Sequence, residues 1–190
     1  MAIATPLLTP ADVLRMLEQG ELDRDWNWEL VNGELVQLSR SKPRESETSM
    51  IIAGTIFPFA RSIGARMLDS SGGFTVGERL QQLRGPDVSL VTKGRAHLIN
   101  PNGWVAGAPD LAVEVLSQGE YGETYVRHKV PEYLAAGAKL VWLVDPRRCN
   151  IREYRPGRSE FLTYRAEDTI TLDAIAPGFS VQVGTLFPEA

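Results

Sequence analysis

Two acids and one lysine carry the chemistry this sequence suggests. Glu114 stands inside Leu111-Ala112-Val113-Glu114-Val115-Leu116, an apolar run of the kind that forms a strand covered on both faces. A carboxylate buried there needs a cation, a hydrogen-bond donor or a shifted pKa. Glu114 is therefore a candidate functional group; its ordinary alternatives are an edge position facing solvent or a structural salt bridge. Asp87 follows Pro86 at the mouth of the short apolar stretch PDVSLV. Alone it reads as a common turn residue. Adjacent strands lie about 4.8 Å apart, however, and two acids at that separation repel each other unless a cation lies between them. Lys129 opens Lys129-Val130-Pro131-Glu132-Tyr133-Leu134, where a helix would put Lys129 and Tyr133 on one face at i, i+4. The commoner fate of a lysine is a solvated helix surface.

Composition narrows that chemistry. The only Cys and His residues are Cys149, His97 and His128, with no CxxC or HExxH. A metal site must then rest on carboxylates, which favours a hard cation, Mg²⁺ with Mn²⁺ as substitute. No GxxxxGK[ST] loop is present, which argues against an NTPase. The net charge of −4 counts against a module that merely coats nucleic acid. It counts less against a nuclease, whose active site is itself acidic. A length of 190 residues suits one domain, 1–190. No apolar run approaches the roughly 20 residues of a membrane span. The stretch MAIATPLLTPADVLRMLEQGELDRDW lacks a secretory pattern, and a lone cysteine suits a reducing compartment. A soluble cytoplasmic protein is the expectation.

The elements that must position these residues can be read in order. Thr9, Pro10 and Asp12 mark a helix over 9–18. Asn32-Gly33 joins strands at about 27–31 and 34–39 as a hairpin. RSKPRESE (40–47) is a polar loop, followed by a helix over about 46–66 that Pro58 should kink or break. Residues 67–76 suggest a strand bent at Gly72-Gly73. PDVSLV is a short strand, TKGRAHLINPNGWVAG a loop and PDLAVEVL a buried strand. A helix over 121–136 ends at Gly137, and KLVWLVD (139–145) is a second buried strand. IREYR, EFLTYR, DTITLD and APGFSVQVGTLF are strands and turns. This order fits a central mixed sheet with helices against it, an α/β architecture.

The pair Pro86-Asp87 with Glu114-Val115-Leu116 resembles the PD…(D/E)XK pattern of restriction-endonuclease-like nucleases. ELVNGELV, GPDVSLV, APDLAVEVLS, KVPEYLAAGAKLVWLVDP and APGFSVQVGTLF, spanning about 25–188, resemble a large bacterial family of predicted restriction endonucleases in that superfamily. The resemblance implies an αβββαβ core with an extra N-terminal hairpin and C-terminal strands. It implies Asp87 and Glu114 as metal carboxylates, the Val115 carbonyl as a further ligand, and Lys129 as the catalytic lysine. The superfamily's lysine position, two residues after the acid, holds Leu116. Pro131 falls between Lys129 and Tyr133.

Other residues carry weaker signals. Glu45 and Glu47 are the candidates for the helix acid such nucleases place before the core strands. Asp110 shares the Glu114 face by parity, but lies about 13 Å along the strand, which suits a supporting or strand-start role. Arg79, Arg84, Lys93 and Arg95, and separately Arg147, Arg148, Arg152, Arg155 and Arg158, are candidate phosphate contacts or simply solvated edges. Trp26, Trp28, Trp104 and Trp142 could stack on bases, though most have their ordinary place in the core. The expected activity is metal-dependent hydrolysis of nucleic-acid phosphodiesters, DNA being the expected partner. A homodimer fits by analogy, since two strands need two sites. The alternative is a catalytically inactive nuclease fold acting in nucleic-acid or protein binding.

Overall fold

The computed structural model describes residues 7–77, 81–117 and 120–189. Helix α1 (Pro10–Glu18) starts at a capping box in which Thr9 and Asp12 satisfy each other's backbone N–H groups. The hairpin of β1 (Trp28–Val31) and β2 (Glu34–Gln37) turns through Asn32 and Gly33, whose φ values of 51° and 79° match a two-residue turn of the twisted type. Helix α2 (Pro43–Ser62) runs unbroken through Pro58. Both Pro58 and Gly54, whose carbonyl loses its partner, are exposed, so water can take up the lost hydrogen bond. This corrects the expected break.

The segment expected to be one bent strand is two strands in two different sheets: β3 (Arg66–Asp69) and β4 (Phe74–Val76). The tight turn between them, with Gly72 N–H donating to the Asp69 carbonyl, redirects the chain. Then follow β5 (Gln82–Arg84), β6 (Val88–Val91), a 3₁₀ turn at Lys93–Leu98, the short β7 (Val105–Ala106) and β8 (Leu111–Val115). Helix α3 (Glu120–Ala135) leads to β9 (Leu140–Asp145), β10 (Asn150–Tyr154), β11 (Leu162–Tyr164), β12 (Thr169–Thr171) and β13 (Ser180–Gln182).

A six-stranded mixed sheet has the order β11-β10-β9-β8-β6-β3, with β8 and β9 parallel and its other neighbours antiparallel. In chain order its heart reads α2-β3-β6-β8-α3-β9, the αβββαβ arrangement. A second sheet, β2-β1-β5-β4-β7, is built from the hairpin and the strands inserted between β3 and β8, and β12 and β13 form a separate pair.

Strand parity divides the core in two. Leu111, Val113 and Val115 of β8 pack with Val88 and Leu90 under Ile52, Ile56 and Ala60 of α2. Ala112 and Leu116 point the other way, into a core with Val126, Val130 and Tyr133 of α3 and Phe74 and Val76 of the second sheet. All residues of β8 and β9 are buried, as a strand covered by helices on both faces requires. No helix among the described residues is long and apolar enough to cross a membrane.

The joint between the sheets is tight at Gly85, between β5 and β6. A Cβ there would lie 2.4 Å from the Ser70 carbonyl oxygen. Gly85→Ala is therefore expected to destabilise the protein by about 1–3 kcal/mol. Urea unfolding measures this, and an unchanged midpoint would show that the β3–β4 corner can yield.

Candidate active site

The register of β6 against β8 pairs Val88 with Val113, and one further step sets Asp87 opposite Glu114. Parity puts both carboxylates on the α3 side of the sheet. Beyond Val113 the ladder ends, and the Val115 N–H donates instead to Asp87 Oδ2 at 2.7 Å. That bond holds the Asp87 carboxylate across the strand end. The structure thus brings Asp87, Glu114 and Val115 together.

It brings Lys129 there as well. Its Nζ lies 3.3 and 3.2 Å from the two Glu114 carboxylate oxygens and 2.8 Å from Glu29 Oε1. One turn on, the Tyr133 hydroxyl donates to Glu114 Oε1 at 2.6 Å. Helix α3 continues through Pro131, again with the proline and the residue four before it, Arg127, exposed. The i, i+4 relation therefore survives the proline, and the lysine comes from the helix, where Leu116 on the strand is packed in the core.

Two residues of this network were not singled out as site residues by sequence: Glu29 of β1, fully buried, and Glu132 of α3. Arg84 of β5 joins them, with Nη1 3.0 Å from Glu29 Oε2 and Nε 2.7 Å from Glu132 Oε2. Glu29 in WELV, like Glu114, is an acid within a short apolar strand. Arg84 was expected among phosphate contacts. It is instead 2% exposed and committed to two carboxylates.

The electrostatics follow from burial. Loss of solvent pushes Glu114 up to about 7; Asp87 and Glu29 add to the rise while Lys129 and the Tyr133 hydroxyl oppose it. Desolvation also raises Asp87, against the pull of the Val115 N–H and Lys129. Tyr133 is held well above its usual range by burial and by the Glu114 charge, so it stays a donor.

Asp87, Glu114 and Lys129 face a cavity of about 290 Å³ that Glu45 also lines. Glu45 is buried, and its Oε2 has no hydrogen-bond partner. Glu47, the other candidate, is exposed. A buried carboxylate oxygen without a donor, beside two further carboxylates, is a donor set suited to a hard divalent cation. Among the described residues no three acidic, histidine or cysteine side chains already converge on one ion-sized point. Mg²⁺ does not require that, since it keeps several waters and binds through one or two carboxylates.

The remaining expectations sort by contact. Asp110 is buried away from the cavity, accepts the Thr92 N–H and faces Arg95 and Lys139, a structural role. Arg95 also donates to the Ala108 and Gly137 carbonyls; Lys93 is exposed beside Gly64; Arg79 lies outside the described residues. In the late cluster, Arg147 and Arg148 pair with Asp145 and Arg155 with Glu153. Arg152 and Arg155 follow on β10 and its exit, separated from β8 by β9. Besides Lys129, Arg40 and Lys42, from the stretch read only as a polar loop, line the cavity. Trp142 is core, and Trp28 and Trp104 pack against the cluster of Val13, Leu22, Leu30 and Leu83, as expected, while with Trp26 they also line a cavity.

A family model described as "Putative restriction endonuclease", the Uma2 family, matches residues 10–184. No curated protein matches. Among solved structures, the chain resembles one from Anabaena variabilis ATCC 29413, described as "a putative nuclease belonging to DUF820". The TM-score is 0.72 over 95% of this chain and 97% of that one, at 21% identity. At that identity the likeness shows a shared fold.

Because Glu114 binds its proton more tightly folded than unfolded, it favours the folded state fully below the ordinary carboxylate range. That contribution is lost as pH rises through about 7. Lys129 offsets the resulting charge. Lys129→Met should therefore destabilise the metal-free protein by about 3–5 kcal/mol at pH 8, and by less at pH 5.5. Adding Glu29→Gln should recover part of the loss. Urea titrations at both pH values test this, and equal losses at both would refute the coupling.

Proposed function

The chain belongs to the Uma2 family, and on that footing we propose that it is a metal-dependent endonuclease hydrolysing DNA phosphodiester bonds. The observation that carries this reading is the meeting of Asp87, Glu114 and Lys129 in one open cavity, with the unsatisfied Glu45 oxygen in its wall. Asp87 and Glu114 would hold Mg²⁺ or Mn²⁺, with the Val115 carbonyl as a further oxygen donor and the unpartnered Glu45 oxygen in the cavity wall. When bound, the ion supplies Lewis-acid polarisation of the phosphate and lowers the pKa of water.

The protein's own groups divide the remaining work. The Val115 N–H fixes Asp87, and the Tyr133 hydroxyl fixes one oxygen of Glu114. Lys129 is fastened by Glu29, which Arg84 and the Gly85 N–H hold in turn. Its ammonium is thereby kept at the cavity rather than released to solvent, where it can stabilise charge developing on the phosphate. Arg40 and Lys42 at the cavity wall supply positive charge for flanking phosphates. Hydrolysis consumes one water, breaks one P–O bond and returns a proton to the leaving oxygen.

Purified protein should cut DNA with Mg²⁺ or Mn²⁺, and Asp87→Asn and Glu114→Gln should each lower the rate by about 100-fold or more. An uncut substrate in both metals, or a Glu114→Gln variant cutting at the parental rate, would overturn the reading. A cation must displace the Glu114 proton, so Mn²⁺ affinity by calorimetry should rise from pH 6 to pH 8. Glu114→Gln should flatten that rise; an affinity independent of pH would remove Glu114 from the ligand set.

A further inference from the structure

The Asp87–Glu114 cavity shares part of its wall with a neighbour. Asn27, Ser70 and Gly85 line both it and a second cavity of about 430 Å³ between α1 and the second sheet. That volume is within the range of small-ligand pockets. Three of the chain's four tryptophans line it: Trp26, Trp28 and Trp104, all only partly buried.

Two of these rings are fixed in place. The Trp28 indole N–H donates to the Asp23 carbonyl at 2.9 Å, and that of Trp104 to the Pro10 carbonyl at 2.8 Å. Trp104 also lies so close to Gly73 that a Cβ there would sit 2.4 Å from the ring. With their N–H groups committed, what Trp28 and Trp104 offer the cavity is rigid aromatic surface. On the same wall the Asn27 amide donates to the Ser70 hydroxyl and the Ser71 hydroxyl to Asp69, so the Asn102 amide, the Asn27 side-chain carbonyl and the Ser70 O–H are the groups that can meet a ligand. The Arg40 guanidinium lies 5.5 Å from the centroid of Trp26 while also lining the first cavity. It thus joins the aromatic wall to the acidic site.

We infer that this second cavity takes an unpaired nucleobase of the strand whose phosphate occupies the acidic site. Aromatic walls recognise a flat heterocycle, and amides and hydroxyls recognise its hydrogen-bonding edge. A base stacked and paired inside a duplex presents neither; an unpaired one presents both. The substrate class is therefore a nucleic-acid strand that is single or locally opened at the cut. This rests on the nuclease reading of the neighbouring site and adds the state of the strand to it.

The test measures binding and cleavage separately. In EDTA, a short single-stranded DNA should quench the intrinsic tryptophan fluorescence, since Trp142 alone is sealed in the core. By anisotropy of a labelled strand, Trp26→Ala and Asn102→Ala should each weaken single-strand binding about tenfold, with blunt-duplex binding changed less than twofold. Asn102 is exposed, so its variant keeps the test open should Trp26→Ala fold poorly. Absent quenching, or single-strand affinity unchanged in Asn102→Ala, overturns the inference. With Mn²⁺, the parent protein should cut single-stranded or bulged DNA faster than matched duplex. Equal or faster cutting of matched duplex overturns the base pocket and leaves the nuclease reading standing. No cutting of any substrate overturns the nuclease reading, while the EDTA titrations still decide the pocket.

Discussion

The ammonium of Lys129, 3% exposed, lies between Glu114 of the central sheet and Glu29 of the second sheet, and it is carried by α3. Three separately formed elements therefore meet at one buried charge. Taking an ammonium and two carboxylates out of water is unfavourable, and the mutual attraction compensates only if the geometry is good and the remaining donors and acceptors are satisfied. Here Tyr133 takes one oxygen of Glu114, and Arg84 takes the far oxygen of Glu29 and ties it to Glu132. The arrangement of sheet, helix and second sheet is thus specified by electrostatic matching as well as by apolar packing.

The same constraint shapes the cavity. Where β6 and β8 part, backbone pairing gives way to a bond from the Val115 N–H to the Asp87 carboxylate. The strand ends open into a space walled by α2 through Glu45, by α3 through Lys129 and by the β2–α2 stretch through Arg40 and Lys42. Negative charge collects at the floor, where Asp87 raises the proton affinity of Glu114 while Glu29 and Glu45 raise that of Asp87, and positive charge stands at the wall. That polarity suits a ligand whose anionic groups are bridged to the floor by a cation. The second sheet contributes twice: Glu29 and Arg84 buttress Lys129, and, with α1, it forms the tryptophan-lined cavity that shares a wall with the first.

Much of this was legible in the chain. The capping box at Thr9, the Asn32-Gly33 turn, the buried runs of β8 and β9 and the stop at Gly137 depend on local chemistry, and each appears where that chemistry puts it. Glu114 was legible for a physical reason: a charge within an apolar run must be answered. The same reason applies to Glu29, but a four-residue hairpin strand reads as solvent-facing until the partner covering it is known. The break expected at Pro58 is absent because whether a proline breaks a helix depends on which side faces water. Neither alternative offered for Arg84, a phosphate contact or a solvated edge, is what the fold gives, because a guanidinium looks alike in sequence when it meets a buried carboxylate.

What the sequence determined by itself was the set of elements, the αβββαβ order that resemblance implied, and the pair of acids, since hydrophobic period, turn residues and a misplaced charge are local properties. Only the tertiary structure decided that residues 66–76 serve two sheets, that Lys129 reaches Glu114 from a helix, and that Glu45 rather than Glu47 faces the cavity. It also decided that Trp28 and Trp104, packed on one core cluster, present a face to a cavity together with Trp26. Those outcomes depend on which surfaces exclude water together, and a contact between Glu29 and Lys129, a hundred residues apart, exists only once the chain has closed around it.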